Sequence, residues 1–359
     1  MRSPNHDKLP ECPAGLSEAW NRRKLILFLG AGISQPYGLP SWNDLVLTLL
    51  LDESSKTFGK FWEHYRVPLG AWLVETFGLT PVSMARLARK YAEKNYNFND
   101  ARFRKYLRDV LYRTERDPKQ PPTLSSIVDL LCRSEQHPEK WRIPIVATLN
   151  FDDLLERNLR KKGVGFKVVF NDERRTEDRL AILHIHGYLP KAGKVPKAEI
   201  VFTEDEYHRL SFKPFHWSQT EVVNLLRNYT VLFVGLSMSD PNLRRLLEAS
   251  HPENSPPAHF VLKAEYTITP DQRTHARETI TEQARQEAVK LGVPDAEKSQ
   301  DKLDHALDSM LSQALKYDAD VLRELGVETI WVKDFDAMPK FLETIGRPMR
   351  RAAGKGRGA

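Results

Sequence analysis

Seven short aliphatic runs, several of them without any alternation of polar and apolar residues, constrain this chain most. They are KLILFLG (24–30), PIVATLN (144–150), FKVVF (166–170), AILHIHG (181–187), TVLFVGLS (230–237), AHFVLKA (258–264) and ETIWVKD (328–334). A strand with one face in water alternates, whereas a strand covered on both faces stays apolar along its length. The runs therefore predict an α/β fold with a parallel sheet and helices between the strands. The segment SDPNLRRLLEAS after the fifth run supplies one such helix, with Asp240 as its N-cap and Pro241 at its first position.

Two long segments interrupt the strand pattern. Residues 43–140 show no good strand but carry helical stripes such as Phe103, Tyr106, Leu107, Val110 and Leu111, which predict a helical module inserted after the first strand and turn. The second segment, 266–325, is highly charged. It holds one stripe of Ala276, Ile280, Ala284, Ala288 and Leu291, and another of Leu303, Leu307, Met310, Ala314 and Leu315. These stripes pack either on the core of the same chain or on a neighbouring copy. The expected organisation is an extension at 1–23, a main domain at 24–345 containing both insertions, and a disordered basic tail at 346–359.

Net charge is +6, from 54 basic and 48 acidic residues among 359. Five of the basic residues lie in the tail RPMRRAAGKGRGA, which has no acidic one, so the rest of the chain is nearly neutral. The basicity belongs to the tail rather than to the fold. Cys12 and Cys132 are the only cysteines, which excludes a four-cysteine zinc module and suits a reducing compartment. No run approaches the ~20 apolar residues of a membrane span, and the first twenty residues lack the apolar core of a signal peptide. A cytoplasmic protein with no membrane partner is expected.

The first run ends in Gly30, Ala31, Gly32 and Ser34, followed by a GLPSW loop that reaches Trp42. Glycines at such a turn allow tight backbone and close approach, and the amides that follow would face an anion such as a pyrophosphate. The spacing departs from the GxGxxG fingerprint, because Gln35 stands at the third position and the next glycine is Gly38. Three further strand ends carry polar groups: ATLNFDD with Thr148, Asn150 and Asp152; LHIHGYL with His184, His186 and Gly187; VGLSMSDPNL with Gly235 and Ser237. All would lie at the carboxyl edge of a parallel sheet, where ligand crevices open.

This ordered set resembles the sirtuin family, whose pattern is GAGxSxxxGIPxF, TQNxD, HG and G-[TS]-S. The resemblance spans residues 24 to about 240 and implies a Rossmann-like core. Leu149 replaces the glutamine of TQN, Trp42 and Asn43 replace a Phe-Arg pair, and the zinc-binding cysteines are absent. The segments EIVFTEDEYHRL and FVGLSMSDPNLRRLL look like the divergent bacterial SIR2-like branch. There the domain commonly acts as an NAD+ glycohydrolase in defence against bacteriophage.

That resemblance implies cleavage of the nicotinamide–ribose bond of NAD+, bound as substrate without zinc. It makes His186 the candidate general base and Asn150 the group that orients ribose and water. Asp152 acts electrostatically or braces the loop. Gly30, Ala31, Gly32, Ser34, Trp42, Thr148, Gly235 and Ser237 are the candidate contacts to NAD+. Two alternatives stay open: His184, expected on the same strand face as His186, could be the reactive histidine, and Asn150 could simply cap the following helix. Tyr207 and Trp42 could wall the pocket. Rival functions are an NAD-dependent protein deacylase and a non-catalytic NAD or ADP-ribose-binding assembly subunit. A lethal activity would need control through a homo-oligomer or a separate partner, such as an ATPase or a nucleic-acid-sensing subunit.

Overall fold

A computed structural model describes residues 9–52, 58–59, 62–120, 122–137, 140–173, 179–197, 199–213, 215–266, 268–291 and 300–347. All seven aliphatic runs form strands. They are β1 (Leu25–Leu29), β4 (Ile145–Thr148), β5 (Phe166–Val169), β6 (Leu180–His184), β7 (Thr230–Val234), β8 (His259–Ala264) and β9 (Val327–Val332), with the short pair β2 (Glu135–His137) and β3 (Lys140–Trp141) standing apart. The seven make one sheet in the order β5-β6-β4-β1-β7-β8-β9, with every neighbouring pair parallel. Every residue of β1, β4 and β6 is buried, as unalternating apolar strands require.

The pleat divides the core in two. Leu25, Leu27 and Leu29 face one layer, while Ile26 and Phe28 face the other. The first layer holds the helix Ala14–Asn21, through Leu16, Ala19 and Trp20, and most of the inserted helices. The second is closed by the helices Trp217–Asn228 and Pro241–Ser250 and by Leu322. The expected stripe of the insertion is real: Phe103, Leu107, Val110 and Leu111 are buried and Tyr106 packs against them. Residues 1–23 were expected as an extension, yet their helix shares the core of the sheet. The inserted helices do the same.

One expectation for 43–140 needs correction. Its end contains β2, which pairs antiparallel with β3. A local ribbon beginning Glu135, Gln136, His137 has no apolar run, so hydrophobic pattern gives no sign of it. The charged segment forms two helices, Pro270–Leu291 and Gln300–Glu324, joined by ion pairs of Arg273 and Arg277 to Asp304 and of Arg273 to Asp308. No residue of the first of these helices is buried. The basic tail lies outside the described residues from position 348 onward.

Candidate active site

The chain leaves β1 to build one half of the sheet, then crosses to β7 on the other side of β1. This is a topological switch point, where the connections from neighbouring β1 and β7 lead to opposite halves of the sheet. Across the four adjacent strands β6, β4, β1 and β7, the turns carry His186, Asn150 with Asp152, Gly30 to Ser34, and Gly235 to Ser237. Stretches far apart in sequence therefore form one row.

The glycines of this row interlock with each other. The Gly30 amide donates to the Val234 carbonyl (3.0 Å) and the Gly32 amide to the Gly235 carbonyl (2.9 Å). A Cβ on Gly30 would stand 2.6 Å from the Gly235 carbonyl oxygen, and Gly235 itself has φ +70°. Only glycine fits both places. The amides of Ile33 and Ser34 are also taken, by the carbonyls of Gly30 and Ala31. The turn continues as two 3-10 turns, Ala31–Ile33 and Gln35–Tyr37, and the first α-helix after it begins only at Trp42. The amides of Gly30, Gly32, Ile33 and Ser34 thus do not face an anion. Those of Gly30 and Gly32 lock the β1 turn onto the β7 turn and those of Ile33 and Ser34 close the β1 turn on itself, leaving side chains to line the crevice.

Asn150 ties β1 to β4. Its Nδ2 donates to the Gly30 carbonyl (3.1 Å) and to Ser34 Oγ (3.2 Å), and the Ser34 hydroxyl donates onward to Asp152 Oδ2 (2.9 Å). Both amide hydrogens are committed, so Oδ1 of Asn150 is the group left to accept from a ligand. The Asp152 Oδ1 accepts the Leu154 amide (3.1 Å), and the N-cap position of the helix Leu154–Lys161 is Asp153. Asn150 is therefore not the cap. Thr148 holds the same turn, donating to the Leu29 carbonyl (3.1 Å) and accepting the Asn150 amide (3.0 Å). Burial pushes the Asp152 carboxyl up to about 6, against the hydrogen bonds from Leu154 and Ser34.

The two histidines do not share an environment. β6 ends at His184, so strand alternation does not carry on to His186 as expected. His184 Nδ1 donates to the Asn150 carbonyl (2.8 Å) and Nε2 shares a hydrogen bond with Glu156 Oε1 (2.6 Å). Burial opposes a charge on the ring, but Glu156 outweighs it and raises the pKa. With both nitrogens engaged inside the protein, neither is free to take a proton from substrate.

His186 lies past the strand end, and its Nε2 is 3.9 Å from Asp240 Oδ2. Its ring stands edge-on to Tyr207, at 5.4 Å between centroids. Burial lowers its pKa and Asp240 partly restores it, so the ring is neutral at pH 7. It borders a small cavity of about 20 Å³, whose walls include Leu149, Ile185, Gln219, Asp240 and Asn242. Trp42 joins Phe151 and Phe202 in an aromatic cluster, with centroids 6.2 and 4.8 Å away. Ala31 is half-buried, Gly32 is exposed, and the exposed Ser237 bonds Ser239 Oγ (2.7 Å).

Residues 144–290 match the family model of the SIR2-like domain. No curated protein matches the chain. The SIR2-like match begins just before β4 and takes in Asn150, Asp152, His186, Gly235 and Asp240, while the β1 turn lies outside it. The hydrogen bonds from Asn150 and Ser34 join that turn to the SIR2-like region. SIR2-like domains are typically NAD-dependent enzymes, and the match supports an NAD-related activity. Sequence reasoning missed Glu156, which is fully buried, and the position of Asp240 beside His186. Glu156 left one signal: it occupies the buried face of an amphipathic helix, beside Leu155 and Leu159.

Proposed function

We propose that this chain hydrolyses NAD+ to nicotinamide and ADP-ribose, and that it is an NAD-depleting effector in defence against bacteriophage. The observation that carries the reading is the row of turns at β6, β4, β1 and β7, with the Asn150 amide fixed by Gly30 and Ser34 and a neutral His186 one strand away.

In the reaction the bond between the nicotinamide nitrogen and ribose C1 breaks, and its electron pair leaves with nicotinamide. Water adds to C1 and loses a proton. A neutral leaving group needs no strong acid, so the protein's tasks are to hold the ribose, place water and receive the proton. Asn150 Oδ1 accepts from water or a ribose hydroxyl and presents a partial negative charge to the developing cation. His186 receives the proton. Asp152 has both oxygens on Ser34 and Leu154, which supports a bracing role. Gly30, Ala31, Gly32, Ser34, Thr148, Gly235 and Ser237 frame the dinucleotide crevice.

Control would come from a homo-oligomer or from a separate regulatory partner such as an ATPase or a nucleic-acid-sensing subunit. Among the described residues no helix is long and apolar enough to cross a membrane, and we place the activity in the cytoplasm. The test is to incubate purified protein with NAD+, with and without an acetylated peptide, and to measure nicotinamide. Release without peptide supports hydrolysis. Release only with peptide would make the protein a deacylase, and NAD+ binding without release would make it a sensor or assembly subunit.

A further inference from the structure

Asp240 begins as a helix cap in the sequence, and the reaction outlined above gives it no task. Its geometry exceeds what a cap needs. Oδ1 accepts the Leu243 amide (2.8 Å) and caps the helix Pro241–Ser250, which is the whole of the capping function. Oδ2 accepts the Tyr207 hydroxyl (2.9 Å) from the helix Glu204–Phe212, and it is this oxygen that lies 3.9 Å from His186 Nε2. Both side chains are largely enclosed, His186 at 5% and Asp240 at 12% exposure.

Asp240 is the charge that acts on the His186 ring, and the charged groups on the elements around it are engaged elsewhere: Arg245 donates to Gln219 Oε1 (2.7 Å), and Glu199, two residues before the Val201 amide that bonds the His186 carbonyl, pairs with His216 (3.1 Å). The helix Glu204–Phe212 presents Tyr207, whose phenol is kept neutral because burial and the Asp240 carboxylate push its pKa up. The helix Trp217–Asn228 contributes the uncharged Ser218 and Gln219 to the shared cleft, and the β4 turn contributes Leu149. A further neighbour is the N-terminus of the helix Pro241–Ser250, whose partial positive charge disfavours an imidazolium. A carboxylate at that N-cap reverses the sign of the local field.

We propose that Asp240 is a positioning residue for His186, supplying the counter-charge against which the imidazole accepts a proton, with Tyr207 fixing the carboxylate. The inference rests on the NAD+ hydrolysis reading. In balance, the proton passes from the attacking water or a ribose hydroxyl to a His186 nitrogen, and the electron pair of the broken bond leaves with nicotinamide. Asp240 stays ionised and takes no proton, and the imidazolium later returns its proton to solvent.

The experiment uses Asp240→Asn in the full chain, because the amide keeps an oxygen for the cap and loses only the charge. With histidine labelled at Cε1, and the His186 signal assigned by its loss in His186→Ala, NMR follows the titration of that ring without substrate. An opposite charge within 4–6 Å moves a pKa by about 1–3 units. The His186 pKa should therefore fall by about one unit or more in Asp240→Asn. The turnover rate for nicotinamide release should fall about tenfold or more, with KM nearly unchanged and the acid limb of the pH profile displaced to lower pH. Tyr207→Phe, which keeps the charge and frees the carboxylate, should shift the ring less. If Asp240→Asn does not fold, Asp240→Ser retains a capping oxygen and carries the same measurement. A folded charge-free variant in which His186 titrates as in the wild type would overturn the inference and leave Asp240 as a cap alone. Absence of nicotinamide release by the wild type would remove the reaction instead, and the titration distinguishes the two failures.

Discussion

Asp152 is held in the folded protein at a cost that can be measured. Its carboxyl is raised by burial from an ordinary value of 3.8 to about 6. An acid with a raised folded pKa stabilises the fold fully below its unfolded pKa, and that contribution is lost as pH rises through about 6. Two units at about 1.4 kcal/mol each put the cost at neutral pH near 3 kcal/mol. Asp152→Asn removes the charge and keeps an acceptor for the Leu154 amide, while the Ser34 hydroxyl turns from donor to acceptor at this contact. By calorimetry it should melt above the wild type at pH 8 and no higher at pH 4. Equal melting at pH 8 would contradict the buried-charge account. At this scale the sequence placed Asn150 and His186 at the carboxyl ends of strands, where the structure has them on neighbouring β4 and β6, because each ends an aliphatic run. It gave no sign that Glu156 would occupy Nε2 of His184, with the Asn150 carbonyl on Nδ1, since the Glu156 pairing joins residues 28 positions apart on different elements.

Between elements, the contact that matters most is the β1 turn on the β7 turn. The sequence announces the glycines but suggests that they make room for a ligand, whereas the crowding comes from the chain itself. That fact is not visible before the strand order is known, because Gly30 and Gly235 lie more than two hundred residues apart. A Cβ on Gly30 would fall 2.6 Å from the Gly235 carbonyl oxygen, while one on Gly32 would sit at 3.0 Å from the Gly235 backbone. Overpacking of this kind costs about 1–3 kcal/mol. Gly30→Ala should therefore lower stability in urea more than Gly32→Ala, and Gly32→Ala should lose less than about 1 kcal/mol. The reverse ranking would mean that the turns are not packed as described. The inner strands β1, β4, β6 and β7 were legible because burial on both faces leaves short unbroken apolar runs, whereas the edge strands β5 and β9, only partly buried, were legible from their β-branched and aromatic residues. The β2–β3 ribbon was not, because it buries no apolar run.

For the molecule as a whole, the two charged helices are the part the core does not explain. Leu322 reaches the core, but several other apolar groups remain in water, with Val289 at 75%, Leu291 at 72% and Met310 at 68% exposure. Exposed Arg–Asp pairs contribute little to holding such a hairpin together. The stripes read from the sequence are thus incompletely covered within one chain, which supports the proposed self-association. Light scattering should give the wild type a mass above that of the monomer, and Leu291→Glu combined with Met310→Glu should lower it while the circular dichroism is kept. A wild type that stays monomeric at every concentration would leave control to a separate partner. The central claim, however, is chemical, and one comparison tests it most directly: nicotinamide release from NAD+ by wild type and His186→Ala, without any peptide. The account predicts steady release by the wild type and a loss of at least a hundredfold in a folded His186→Ala protein, within the range expected for a general base. Equal rates in the two proteins, or no release by either, would contradict it.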